Sequence, residues 1–269
     1  MDETAAMRGR GEGTVLGYCT NVHSGARVAD VQRSLVEHAS VVRARLNTNG
    51  REEKLPIGLW LSRRAATELL RDDGLLRSFG AFLEERGLVP FTYNAFPYGD
   101  FHGPEVKTRV YRPDWSEYER LEYTVAVADI ALELALRVGQ KQDGAREVSI
   151  STLPIGWRGW NGEEAGADLA GAARSLRAVA AHLRRIEDET GWCVHVDLEP
   201  EPGCVLDTSS DVIRFFGEHL LASGTNAGHL LRYVRVCHDV CHSAVMFEGQ
   251  RDALAAYAAA GVRVGKVQV

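Results

Sequence analysis

The chain has 269 residues, 45% hydrophobic and 25% charged, which is ordinary for a soluble globular protein and enough for one barrel-sized domain or two small ones. Its formal net charge of −6 argues against nonspecific nucleic-acid binding, which needs a basic surface. No run of about 18 apolar residues provides a transmembrane helix. Residues Met1–Gly13 are polar and Gly-rich, without the apolar stretch of a signal peptide. That predicts a disordered tail, a cytoplasmic location and a folded domain over 14–269.

Thr14–Cys19 reads as a short strand leading into Asn21-Val22-His23, and apolar residues at Val31, Leu35, Val42 and Leu46 predict a helix over 28–46. Ile57–Leu61 is the second expected strand, with Ser62 placed to cap a helix running to about Arg86. Leu88–Asn94 is the third; it opens into 95–103, an aromatic loop too long for a plain connector. Asp114 and Glu117 have capping-box spacing for a helix near 115–137. Glu147–Thr152 is the fourth strand, followed by a Trp-rich loop, 156–160, and a helix whose one face carries Leu169, Ala173, Leu176, Ala180, Leu183 and Ile186. Strand five (192–198), a helix near 211–222, strand six (233–237), a helix to about 260 and strand seven (263–269) complete the pattern.

Five cysteines, Cys19, Cys193, Cys204, Cys237 and Cys241, favour reduced thiols over a disulfide framework. A zinc site from Cys237, His238, Cys241 and His242 is disfavoured, because neighbours on a strand point to opposite faces. Alternating strands and helices imply a parallel α/β fold. A doubly wound sheet remains open, but no Gly-rich phosphate loop follows the first strand. Polar residues of functional type follow strands one, three, four, five and six, which favours a (β/α)₈ barrel. The count is one strand and two helices short, so the last unit is expected to be missing from this chain. The edges left open would invite pairing with another chain, a homo-oligomer being one outcome.

The densest cluster of chemistry is Tyr233–His242. Its alternation separates Arg235, Cys237 and Asp239 from Val234, Val236 and His238, and His242 follows in a helix start. Glu199 ends strand five in the same way, so Glu199, Asp239 and His242 are candidate ligands of one divalent metal. Solvated strand-end carboxylates and a first-turn histidine would give the same pattern. Glu201 shares the Glu199 face by period two and is a candidate general base, or decorates a rigid turn between Pro200 and Pro202. His23, Asn94 and His102 end strands or lie in loops at the same mouth and are candidates for substrate binding. Trp157 and Trp160, with Phe96, Tyr98 and Phe101, form an apolar wall for a sugar or simply pack on one another. Lys266, in register with Gln268, is expected to enter the barrel, where its charge stabilises an enolate or anion.

Leu198-Glu199-x-Glu201-x-Gly203 and Asp239-x-x-His242 resemble strand ends of the xylose-isomerase-like sugar phosphate isomerase/epimerase barrels. More closely, 16–23, 96–103, 110–115, 151–157, 198–204, 237–242 and 265–269 together resemble the EboE family, a branch tied to gene clusters for metabolite trafficking and export. The resemblance implies one divalent metal (Mn²⁺, Mg²⁺ or Zn²⁺) held by Glu199 and Asp239, with His242 at the second position of the D-x-x-H motif. It implies a further ligand on strand seven, where relatives often carry His and this chain has Gln268, and a Glu on strand eight. A Gln carbonyl suits a hard cation. The implied activity is isomerisation or epimerisation of a small polyhydroxy metabolite by carboxylate-mediated proton transfer, with Glu199 doubling as metal ligand and catalytic base. The alternative is a non-catalytic metabolite-binding protein acting in trafficking. Endonuclease-type phosphodiester hydrolysis is disfavoured by the acidic charge and the scarcity of His ligands.

Overall fold

A computed structural model describes residues 15–47, 53–99, 107–138, 146–161, 168–222 and 227–269; the expected tail, Phe101 and His102 lie outside them. Seven parallel strands pair in strict chain order: β1 (Tyr18–Cys19), β2 (Leu55–Trp60), β3 (Leu88–Asn94), β4 (Glu147–Thr152), β5 (Cys193–Leu198), β6 (Val234–Asp239) and β7 (Val264–Gln268). Between them run α1 (Val28–Ser34), α2 (Ser40–Leu46), α3 (Arg63–Arg71), α4 (Asp73–Glu85), α5 (Tyr118–Val138), α6 (Leu169–Thr190), α7 (Ser209–Phe215), α8 (Ala227–Tyr233), α9 (Val240–Val245) and α10 (Gln250–Ala259). This is the β/α barrel architecture expected from the sequence, with seven parallel strands among the described residues.

Helix starts obey local chemistry. Ser62 accepts from the Ala65 amide, Asp72 from Leu75 and Asp168 from Gly171, and Thr208 and Asp211 form a reciprocal capping box. Asp72 explains why the single helix expected over 63–86 is two: its side chain caps a fresh start at α4. Glu117 does reach back to the Asp114 amide, at 3.0 Å, but Asp114 turns its own oxygen to Ser116, and α5 begins only at Tyr118. The 28–46 helix is continuous through a π-helical stretch at Leu35–Ala39. α8 escaped the sequence reading because it is short and runs straight into β6 without a punctuating Gly or Pro.

The sheet curls. In a flat sheet β4 and β7 would lie three strand spacings apart, about 14 Å. Instead Lys266 Nζ on β7 donates to Ser151 Oγ on β4 at 3.1 Å. One face of each strand packs on helices: Val148, Ile150, Val194, Val196, Leu198, Val234 and Val236 are all buried in the apolar core. The other face lines the barrel and is polar and charged, carrying Ser149 and Ser151, His195, Asp197 and Glu199, Arg235 and Asp239, then Lys266 and Gln268. At Gly265 the register with β6 slips by one residue, a bulge that returns Lys266 and Gln268 to the inner face. A Cβ there would sit 2.2 Å from Asp197 Oδ1, so only glycine lets β7 approach β5 across the interior.

Candidate metal centre

β5 and β6 deliver the central residues. Glu199 follows Leu198 at the carboxyl end of β5, its amide tied to the Thr152 carbonyl at 3.0 Å, and it is only 4% exposed. Asp239 ends β6 and caps α9: its Oδ1 accepts from the Cys241 and His242 amides at 2.8 and 2.9 Å. That capping fixes the carboxylate and leaves Oδ2 toward the barrel, 3.2 Å from Gln268 Nε2. His242 lies in the first turn of α9, where its Nδ1 bonds the Pro200 carbonyl at 3.0 Å. A carbonyl only accepts, so Nδ1 carries the proton of that bond, and the same nitrogen lies 4.0 Å from Glu199 Oε1. Glu199, Asp239 and His242 each offer one ligand atom within 4.8 Å of the others.

Gln268 joins them from β7, its Nε2 also lying 3.4 Å from Glu199 Oε1. The sequence expectation of Glu199, Asp239, His242 and Gln268 in one place therefore corresponds to a single cluster. Three buried acceptor oxygens around it have no hydrogen-bond partner among the described residues: Glu199 Oε2, Glu201 Oε2 and Gln268 Oε1. Such orphans cost free energy unless something positive or a donor meets them. Burial pushes Glu199 up to about 7, against the pull of Lys266 and His242. Burial likewise raises Glu201, opposed by the nearby His242. Beneath the cluster, burial draws the Lys266 amine down, but Cys237, Glu199, Cys19 and Asp197 outweigh it and the net shift is upward. Lys266 is thus a fixed positive charge. This donor set, two carboxylates, an imidazole and an amide oxygen, fits a hard or borderline divalent cation.

Other expected residues are placed differently. His238 faces the helices: its Nε2 is 2.5 Å from Gln250 Oε1 of α10, and its ring meets Tyr257 edge-on. It is thereby separated from Cys237, as strand alternation predicts. Asn94 spends its Oδ1 on the Phe96 amide at 2.8 Å, turning the chain out of β3. His23 accompanies Tyr18 Oη at 2.7 Å and stacks on His38 at 3.8 Å between ring centroids. It lines a polar cavity of about 480 Å³ with Ser24, Asp30, Arg33, Glu37 and His38, none of which belongs to the β5–β6 cluster. Trp157 lies near Glu201, but Tyr111 stacks on its indole at 5.1 Å and Gly203 abuts its six-membered ring. What the sequence reading missed is Tyr111, which reaches this site from a loop 90 positions earlier in the chain. No periodicity marks a residue in a 3₁₀ turn such as Lys107–Tyr111, and only proximity in space reveals it. All five cysteines are free, and no described helix is long and apolar enough to cross a membrane.

No protein-family model matches the sequence, and no curated protein matches it. Solved structures do. The crystal structure of the 3-keto-D-glucoside 4-epimerase of E. coli superposes with a TM-score of 0.51 at 16% identity, over 93% of this chain and 76% of that one. A xylose isomerase domain protein from Planctomyces limnophilus gives 0.43 at 14% identity, over 79% and 63%. A zinc-bound IolI protein gives 0.44 at 12%, over 89% and 68%. The likeness to the E. coli epimerase shows the β/α barrel fold.

Proposed function

We propose that this chain is a divalent-metal-dependent isomerase or epimerase of a small polyhydroxy carbonyl compound, sugar- or cyclitol-like. Glu199, Asp239, His242 and Gln268 hold one cation, Mn²⁺, Mg²⁺ or Zn²⁺. The observation that carries the reading is the gathering of orphaned buried acceptors, Glu199 Oε2, Glu201 Oε2 and Gln268 Oε1, at the carboxyl end of β5 and β7. A half-turn of the Gln268 amide exchanges its Nε2 for that free carbonyl oxygen. When bound, the cation supplies Lewis acidity that makes the proton beside a substrate carbonyl removable. Glu199 is committed as a ligand. Glu201, whose acidity burial weakens and whose basicity it therefore strengthens, takes the proton from that carbon. It returns it to the adjacent carbon (isomerisation), whereas in epimerisation a donor on the opposite face supplies the new proton and Glu201 keeps the one it removed. The carbon–hydrogen electron pair meanwhile spreads onto the carbonyl oxygen, and Lys266 offsets the negative charge from below. Asn94, Trp157 and His102 are the remaining candidates for substrate contact, and the fold neighbour acting on a 3-keto glucoside suggests the substrate class to try first.

The test combines metal and exchange. Purified protein loaded with Mn²⁺ and incubated in D₂O with ketohexoses, inososes and 3-keto glucosides should incorporate deuterium beside the carbonyl, seen by proton NMR. Absence of Mn²⁺ binding by calorimetry would end the reading.

One observation favours a second reading, a non-catalytic metabolite-binding protein in an EboE-type trafficking role. The Gln268 amide already donates toward Glu199 and Asp239, easing their repulsion without any cation. Saturable binding of a panel member without deuterium exchange would select it.

A further inference from the structure

The loop after β1 and the helix that follows it enclose the polar cavity of about 480 Å³, none of whose lining residues belongs to the Glu199–Asp239–His242 cluster. Its walls are fixed by bonds of the fold itself. Ser62 Oγ donates to the Ala26 carbonyl at 2.7 Å, and Glu68 Oε2 accepts from the Val28 amide at 3.0 Å, which pins the far end of the loop. The near end turns back through His23 N to Thr20 O at 3.1 Å. Between them Gly25 packs so closely on α1 that a Cβ would lie 3.1 Å from Val31 Cγ2. The His23 ring, bonded to Tyr18 Oη at 2.7 Å, stacks on His38 with planes 10° apart and ties the loop to the helix. A preformed wall lowers the ordering cost of binding.

The helical wall is irregular. Glu37 and His38 lie in the π-helical stretch Leu35–Ala39, a geometry that recurs at functional sites. Ser40 supports it, amide and hydroxyl both donating to the Leu35 carbonyl, the hydroxyl at 3.0 Å. Asp30 is already engaged: one oxygen accepts from the Arg27 amide at 3.2 Å and the other pairs with Arg33 at 3.3 Å, so those two charges cancel. Glu37 has no hydrogen bond or ion pair among the described residues, and with neutral imidazoles it leaves the lining one negative charge in excess.

This lining selects its ligand. An apolar molecule would strip water from carboxylates and a guanidinium without replacing it. A metal ion lacks ligands, because among the described residues only Glu199, Asp239 and His242 bring three ligand atoms together. An acid would face the unpaired Glu37. Hydroxyls suit both halves of the wall, since they donate to carboxylates and accept from Arg33 and Ser24. The volume falls within the range of about 300–1,000 Å³ typical of small-molecule sites.

We propose that this cavity is a second binding site, for a polyhydroxy compound carrying an amino group, with Glu37 meeting the ammonium and Arg33 and Ser24 the hydroxyls. It stands apart from the reading of the metal cluster and does not depend on it.

The test is amide NMR of the metal-free chain, titrated at about pH 7, where an ordinary imidazole is mostly neutral, with D-glucosamine, D-glucose and D-gluconate. Glucosamine should shift the Ser24, Gly25, Glu37 and His38 amides saturably in the millimolar range. Glucose should bind roughly two- to fivefold more weakly, the contribution of one exposed ion pair, and gluconate should leave these amides unmoved. Glu37→Gln should erase the preference for the amine while glucose binding persists. His38→Ala, which removes the stack, should weaken both sugars alike. Shifts confined to residues around Glu199 and Asp239, equal binding of gluconate, no saturation with any of the three, or an amine preference that survives Glu37→Gln each overturn the proposal.

Discussion

The two ends of the barrel interior are built from the same strands yet treat charge in opposite ways. Toward the amino ends of β4, β5 and β6, Arg235 Nη1 meets Glu147 Oε1 at 2.7 Å and His195 Nδ1 meets Asp197 Oδ1 at 2.7 Å. His195 Nε2 adds a 3.6 Å approach to Glu147. Burial alone would raise the Glu147 carboxyl; Arg235 and His195 outweigh it and hold it below the usual range. Toward the carboxyl ends, Glu199, Asp239 and Glu201 crowd around one imidazole, with Lys266 below, and three oxygens nearby go unpartnered. A folded chain does not retain buried like charges for stability alone. The first group is mostly paired, Asp197 Oδ2 being its unpartnered oxygen, and the larger shortfall in the second supports the reading of a ligand site there.

The largest break in that comparison should come from removing Asp239. Asp239→Ala deletes a ligand, the cap of α9 and a negative charge together. Calorimetric titration should then show no Mn²⁺ binding at all, and an affinity within tenfold of wild type would mean the centre lies elsewhere. Because the cap also orients His242, Asp239→Asn is the companion: it keeps a capping oxygen but loses the charge, and it too should fail to bind.

The two ends were not equally legible in the sequence. Period-two alternation in β5 and β6 exposed Glu199, Asp239 and the outward turn of His238, because a strand converts spacing directly into facing. The same rule placed Lys266 and Gln268 on one face, although it did not foresee the bulge at Gly265 that makes this possible. The Glu147–Arg235–His195 cluster went unread: its members are 40, 48 and 88 residues apart and become partners only when three strands are set side by side. Tyr111 escaped, and the choice between two roles for Trp157 stayed open, for a related reason. Loop residues carry no period, and whether an aromatic offers a face to sugar or to another aromatic is decided by the fold around it.

Acidity offers the next test, with an effect of about tenfold per pH unit. Burial pushes Glu199 up to about 7, whereas in the unfolded chain it titrates near its ordinary value, about 4.3. The folded chain without metal therefore holds a proton that the unfolded chain has lost. This contribution to stability is complete below about pH 4 and disappears as the pH rises toward about 7. A cation competes with that proton, so Mn²⁺ affinity should climb about tenfold per unit up to roughly pH 7 and then flatten. Unfolding midpoints and titrations between pH 4.5 and 8 read both slopes. Glu199→Gln should flatten the metal-free profile, and an equally steep fall in that variant would shift the origin to another group.

At the compensated end the expected effect is on stability only. Arg235→Met strips Glu147 and Cys193 of their common partner. Glu147 is 43% exposed, so water recovers part of the loss. The cost should fall between the exposed and buried limits for an ion pair, about 1–3 kcal/mol by denaturant titration. Mn²⁺ affinity should not change. A matching loss of metal binding would show the two ends to be one electrostatic unit rather than two.

The smallest effect belongs to His238, and its smallness is the sharpest statement about facing. It neighbours Asp239 in sequence and sits in the same strand, so a reading from proximity alone would expect it to matter to the metal. Its imidazole instead lies against α10, bonded to Gln250 and edge-on to Tyr257, on the side of the sheet that packs rather than binds. Gln250 Nε2 in turn lies 3.3 Å from the Val240 carbonyl in α9, so the contact braces α10 against the helix that carries His242. His238→Ala should cost stability through the lost packing and hydrogen bond, while Mn²⁺ affinity falls by less than the roughly 10–100-fold produced by removing a direct partner of a metal ligand. His238→Gln, retaining a donor toward Gln250, should recover most of the stability. If His238→Ala abolished metal binding as Asp239→Ala does, β6 would present its opposite face to the barrel, and the division between binding and packing surfaces would have to be reversed.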